Sequence, residues 1–144
     1  MIQRVTSEDE DFINLVKLLD KDLAIRDGEE HAFYNQFNKI NSIKNALVFY
    51  YENDPVSCGA FRPFDENTVE IKRMYTLETS RGKGFASQVL KALETWAAEL
   101  NYKKAVLETG KKQPEAIAFY LNAGYSIIES YGQYKNVENS VCMM

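Results

Sequence analysis

The period of the hydrophobic pattern changes from strand to helix at Gly82, and that change constrains the fold more than any other feature. Before it, three runs read as strands: Ala46 to Tyr51, Val56 to Phe61 and Thr68 to Leu77. Turn residues separate them, first Glu52-Asn53-Asp54-Pro55, then Phe64-Asp65-Glu66-Asn67. Connections this short require neighbouring antiparallel strands, a β-meander. After Gly82, the residues Phe85, Val89, Leu93, Trp96, Ala97 and Leu100 recur at helical spacing. They predict a helix ending near Asn101, with Trp96 in the core.

The remaining segments fit around this junction. Ile2 to Val5 reads as a first strand. Thr6 or Ser7 is the expected cap of a helix whose first turn is acidic (Glu8 to Asp11), as the helix dipole favours. Phe12, Leu15, Val16, Leu19 and Leu23 form its apolar face, and Asp27-Gly28 stops it. A shorter helix is expected over Glu30 to Ile40, carrying Phe33, Tyr34 and Phe37. Lys104 to Glu108 reads as a strand and Gln113 to Asn122 as a helix, with Pro114 in its first turn and Gly124 just past its end. Tyr125 to Glu129 and Asn139 to Met143 are the closing strands. The fold class is therefore α/β, a mixed sheet with helices on both faces.

Length and charge narrow the partners. The 144 residues, without repeats or a Pro/Gly-rich linker, predict one domain over 1–144. A net charge of −4 argues against nucleic acid and against anionic membrane as partners. No stretch approaches the roughly 20 apolar residues of a membrane span. Met1-Ile2-Gln3-Arg4 leads into acidic residues, unlike a secretory or transit leader, so a cytoplasmic location is expected. Cys58, Cys142 and the lone His31 show no metal-ligand spacing, so no metal site is expected and both cysteines read as strand residues.

The chemistry concentrates at Arg81-Gly82-Lys83-Gly84-Phe85-Ala86, between strand and helix. Two glycines let the chain enter the helix tightly and let a ligand approach the backbone. The helix start offers unpaired N–H groups and partial positive charge, and Arg81 and Lys83 add cations. The combination favours a pyrophosphate. A nucleotide P-loop, GxxxxGK[ST], is absent. A dinucleotide turn, GxGxxG, fails at Ser87 and at the antiparallel meander before it.

This segment resembles the signature Q/R-x-x-G-x-G/A of the GNAT family of acyl-CoA N-acyltransferases. The resemblance extends to Gln113-x-x-Ala116-x-x-x-Tyr120-x-x-x-Gly124-Tyr125, where the family commonly shows Asn-x-x-Ala-x-x-x-Tyr-x-x-x-Gly-Phe. It is close from about Ser57 to Ile128. Two positions differ: Gln113 replaces asparagine, which bears on a cofactor hydrogen bond, and Tyr125 replaces phenylalanine. The family fold is a mixed, mostly antiparallel sheet with a V-shaped splay between two parallel strands. Here the splayed pair would be the Glu70–Leu77 and Lys104–Glu108 strands.

The resemblance implies acetyl-CoA as the acyl donor. Its pyrophosphate would lie on the backbone of Arg81, Gly82, Lys83, Gly84, Phe85, Ala86 and Ser87. Met74, Tyr75 and Thr76 would accompany the pantetheine arm, with Gln113, Ala116, Phe119 and Tyr120 on the facing helix. It also implies that the Met74 N–H holds the oxyanion and that Tyr120 protonates the departing thiolate. A phenol of reference pKa about 10 is protonated at neutral pH and suited to that task. Glu70 is the candidate base, directly or through a water, and Glu108 the reserve. Strict alternation would put Glu70, Lys72, Met74 and Thr76 on one side of their strand. The plain alternative for Glu70 is an ion pair with Lys72 or another cation. Tyr131, Tyr134 and His31 fall where the family shapes its acceptor pocket, and an ordinary aromatic loop is the alternative for the tyrosines. Arg62 and Arg73 could read an acceptor carboxylate or simply be surface arginines. The expected acceptor is a small-molecule amine or a protein amine, attacked directly in a ternary complex. Homodimers are common in the family. The reading from another class is a CoA-binding or sensor module without catalysis.

Overall fold

The computed structural model describes residues 1–27 and 43–144. Among the described residues seven strands form one sheet in the order β1-β2-β3-β4-β5-β7-β6. These are β1 (Ile2–Val5), β2 (Asn45–Tyr51), β3 (Asp54–Pro63), β4 (Thr68–Thr76), β5 (Lys104–Gly110), β6 (Ile127–Ile128) and β7 (Ser140–Met143). Only β4 and β5 run parallel; the other neighbours are antiparallel. Among the described residues three α-helices cover the sheet: α1 (Glu10–Asp27), α2 (Phe85–Glu99) and α3 (Pro114–Asn122). None is long and apolar enough to cross a membrane. The expected helix over Glu30–Ile40, and His31, lie outside the described residues.

The meander forms as its turns dictate. The β2–β3 hairpin turns on Glu52 and Asn53 alone, at φ 52° and 70°. Positive φ at both central residues suits the twist of a two-residue hairpin, so β3 begins at Asp54, earlier than the alternation implied. α1 also begins later than expected. The Asp9 carboxylate accepts the Phe12 N–H at 3.0 Å and caps the helix, whereas Thr6 Oγ1 accepts only the Glu8 N–H.

Two apolar layers flank the sheet. On one face Phe85, Val89, Leu90, Leu93 and Ala97 of α2 pack on Leu47, Phe61, Val69 and Ile71. Trp96 joins this layer, edge-on to Phe61 at 5.6 Å. On the other face Phe12, Leu15 and Val16 of α1 meet Ala46, Val48, Cys58 and Ala60. Leu19 and Leu23 continue the α1 stripe but are only half-buried; they line a cavity instead. Both cysteines are buried strand residues with free thiols.

Candidate active site

The parallel pair carries the site. β4 and β5 are in register from Thr68↔Lys104 to Ile71↔Leu107, and there the pairing stops. Each strand goes on with support from its other side. Beyond Ile71, β4 stays paired to β3 through Cys58↔Tyr75 and Ser57↔Thr76. Beyond Leu107, β5 stays paired to β7 through Glu108↔Cys142, Thr109↔Val141 and Gly110↔Ser140. The result is a fork whose two inner edges carry peptide groups with no strand between them. Open peptide edges favour a ligand that can hydrogen-bond to them.

A β-bulge sits at the root of the fork. Ala60↔Lys72 and Cys58↔Tyr75 differ in register by one residue, so Arg73 and Met74 together oppose Gly59. Arg73 takes the extra position at φ 59°. The bulge overturns strict alternation. Glu70, Lys72 and Arg73 all turn to the α1 side, and Arg73 Nη1 donates to Asp20 Oδ1 of α1 at 2.8 Å. Met74 turns to the α2 side, where its Sδ lies over Gly59 beside Val89 and Leu93. Met74 and Glu70 therefore do not share a face. Gly59, a glycine inside a strand pattern, is a signal from which this bulge could have been read.

On one side of the fork lies a groove of about 390 Å³. Its floor is the turn into α2. Gly82 and Gly84 have φ of 77° and 82°, and a Cβ on either would meet nothing within 4 Å. They serve backbone conformation rather than packing. Gly84 is the N-cap of α2 and no side chain caps it. The first-turn N–H groups thus face the groove unspent, an anion-binding arrangement. Arg81 is fixed beside them by Nε donating to the Thr76 carbonyl at 3.0 Å, with its guanidinium over the Tyr75 ring. Met74, Tyr75, Thr76, Arg81, Gly82, Gly84, Phe85, Ala86, Ser87, Gln113, Ala116, Phe119 and Tyr120 all line this groove. Of the residues expected there, Lys83 alone does not; its ammonium stands over the Tyr51 ring at 5.6 Å. Leu19, Asp22, Ser80 and Glu115 also contribute, unforeseen from the sequence.

On the other side lies a smaller pocket of about 110 Å³, walled by Glu70, Lys72, Arg73, Glu108, Tyr134 and the α1 leucines Leu19 and Leu23. Glu70 is 2% exposed and engaged on both oxygens. Arg62 Nε donates to Oε1 at 2.9 Å, the Tyr131 hydroxyl donates to Oε2 at 2.8 Å, and Lys72 Nζ is 3.8 Å from Oε1. Burial pulls the Lys72 pKa below its ordinary value, against the pull of Glu70. Burial also raises the Tyr131 and Tyr134 phenols. Tyr131 stands behind Glu70 rather than in the pocket wall, edge-on to Phe64 at 5.0 Å. Arg62 and Arg73 are therefore committed to ion pairs, not loose on the surface.

Groove and pocket share five residues: Leu19, Met74, Gln113, Ala116 and Tyr120. Tyr120 is 7% exposed, and burial alone raises its pKa. Its ring is edge-on to Phe119 and Tyr125. The phenol stays protonated at neutral pH at the junction of the two cavities. Among the described residues no group of side chains is arranged to hold a metal ion.

Comparison with known proteins agrees with this architecture. The family model of the GNAT acetyltransferases matches residues 12–125. The uncharacterised N-acetyltransferase YjgM of Escherichia coli is 33% identical over 85 residues, and YsnE of Bacillus subtilis is 33% identical over 96 residues. These matches cover 57% and 65% of this chain but 51% and 64% of the relatives, less than two thirds of either. The crystal structure of a putative acyl-CoA N-acyltransferase from Klebsiella pneumoniae superposes with a TM-score of 0.82 at 28% identity, over 99% of this chain and 94% of that one. A GNAT acetyltransferase from Elizabethkingia anophelis, solved with acetyl-CoA bound, shares the fold at 19% identity and a TM-score of 0.69, over 99% and 95% of the two chains.

Proposed function

The chain belongs to the GNAT acetyltransferase family, and from that premise we propose that it transfers an acetyl group from acetyl-CoA to a primary amine by direct attack in a ternary complex. The carrying observation is that an anion-binding groove and a charged pocket meet at one protonated phenol, Tyr120. Acetyl-CoA supplies the activated acyl group when bound, as in the Elizabethkingia anophelis relative. The uncapped amides of Phe85, Ala86 and Ser87, with Arg81 beside them, suit its pyrophosphate. The open edge of β4 past Ile71 suits the amides of its pantetheine arm.

Tyr120 is the proposed acid, because burial keeps its proton in place and the residue lines both cavities. The three groups around Glu70 argue for a positioning role, holding Lys72 in the pocket wall and Tyr131 behind it. Glu108, half-exposed on the β5 side of the fork, is then the proposed base. The test is a panel of primary amines with CoA release as readout. Wild type should turn over at least one amine, and Glu108→Gln should lower kcat and remove the acidic limb of its pH profile. Full turnover by Glu108→Gln would exclude that residue as the base. Release of CoA at the same rate with and without every amine would refute amine acetylation.

A further inference from the structure

The bulge does something a regular strand cannot: it turns two consecutive cations, Lys72 and Arg73, to the same side of β4, into one small pocket. Their side chains are 6% and 3% exposed. Burying neighbouring like charges is costly: burial lowers the Lys72 pKa, and the Arg62 and Arg73 charges lower it further. The described anions balance most of this charge. Glu70 is met by Arg62 and Lys72, and Asp20 by Arg73 Nη1. One donor is left over. Arg73 Nε is buried and, among the described residues, has no hydrogen-bond partner. A buried guanidinium N–H without an acceptor is uncommon and calls for a ligand or solvent atom to complete it.

We propose that the acceptor is a small amine carrying its own carboxylate, and that Arg73, with Lys72 beside it, holds that carboxylate while the amine faces Glu108 and the fork. This deepens the acetyltransfer reading and rests on it. A monoanion fits better than a dianion, since among the described residues one buried donor is unmet and Glu70 and Glu108 line the same 110 Å³. The small volume also selects against an extended chain. Lys72 and Arg73 come from β4 and Glu108 from β5, so cations and a carboxylate line one small pocket from two strands, which suits the neighbouring amine and carboxylate of an amino acid.

The experiment compares L-amino acids with their primary amides, using CoA release, and binding to the CoA-saturated protein as a second readout. The amides have the less basic amine, so simple amine reactivity favours them. The proposal expects at least one acid to exceed its amide in kcat/KM by about tenfold or more, the scale of one hydrogen bond to a charged group. Arg73→Gln should bring that ratio toward one, and Arg73→Lys should restore part of it. Amides equal to or better than their acids throughout the panel would overturn the proposal. So would an acid preference that survives in Arg73→Gln. If that variant does not fold, the wild-type ratio still decides. Binding or turnover of neither series, with CoA still stabilising the protein, would sink this inference and leave the family reading intact; loss of CoA binding itself would sink both.

Discussion

The anion-binding end of the groove is built from the backbone of the turn into α2, whereas the pocket under α1 gathers four charged side chains. The groove rests on two glycines at positive φ and an uncapped helix start, with its cation half in solvent. The pocket rests on Glu70, Lys72, Arg73 and Glu108, brought together from two strands by a bulge and a fork. Backbone recognition accepts any ligand with the right phosphate geometry. Side-chain recognition selects. Under the proposed function, the groove takes the shared cosubstrate and the pocket takes the acceptor.

The largest expected effect lies in the pocket. Glu70→Gln removes the charge that offsets Lys72 and half-exposed Arg62, and should cost about 3 kcal/mol, the lower end for a broken buried pair. Urea unfolding would measure it. A loss in turnover with unchanged stability would instead make Glu70 the base. At the junction, Tyr120→Phe should lower turnover about a hundredfold, as expected for a lost general acid, while acetyl-CoA still binds. The pocket's root is more sensitive than the groove's floor. A Cβ at Gly59 would lie 2.5 Å from Met74 Sδ and 2.8 Å from Leu93 Cδ1. Gly59→Ala should therefore cost about 2 kcal/mol through overpacking. Gly84→Ala meets open space and should cost about 1 kcal/mol, from the positive φ alone. Equal costs at the two glycines would contradict the contrast between packing and conformation.

Alkaline pH separates the regions further. Burial first raises the phenols of Tyr120, Tyr131 and Tyr134 above the ordinary value of 10.0. Between that value and the raised ones the unfolded chain loses protons that the folded chain keeps. Their contribution to stability is complete below about pH 10 and is lost as pH rises beyond it. Tyrosinate absorbance from these three should appear together with unfolding, not before it.

Much of the fold was legible because it is local. The meander, the period change at Gly82 and the Pro114 and Gly124 helix boundaries are encoded within a few residues of where they act. The groove was legible for the same reason. The pocket was not. Alternation placed Met74 with Glu70, and the bulge at Arg73 separated them. The partners of Glu70 come from positions 62, 72 and 131, spacings that no periodicity reports. Leu19 and Leu23 read as core because a helix stripe cannot show where its neighbour ends.

The central claim, that the uncapped turn of α2 holds the pyrophosphate of acetyl-CoA, is tested most directly by Ser87→Asp. Ser87 is exposed in the first turn of α2, where a carboxylate complements the helix dipole but repels phosphate. Melting temperatures would be followed with rising acetyl-CoA and, as a control, ATP. Wild type should be stabilised saturably by acetyl-CoA, as mass action requires, and little by ATP. Ser87→Asp should be at least as stable alone and no longer respond to acetyl-CoA. An undiminished response, or a wild type stabilised by ATP and not by acetyl-CoA, would contradict the assignment of this turn.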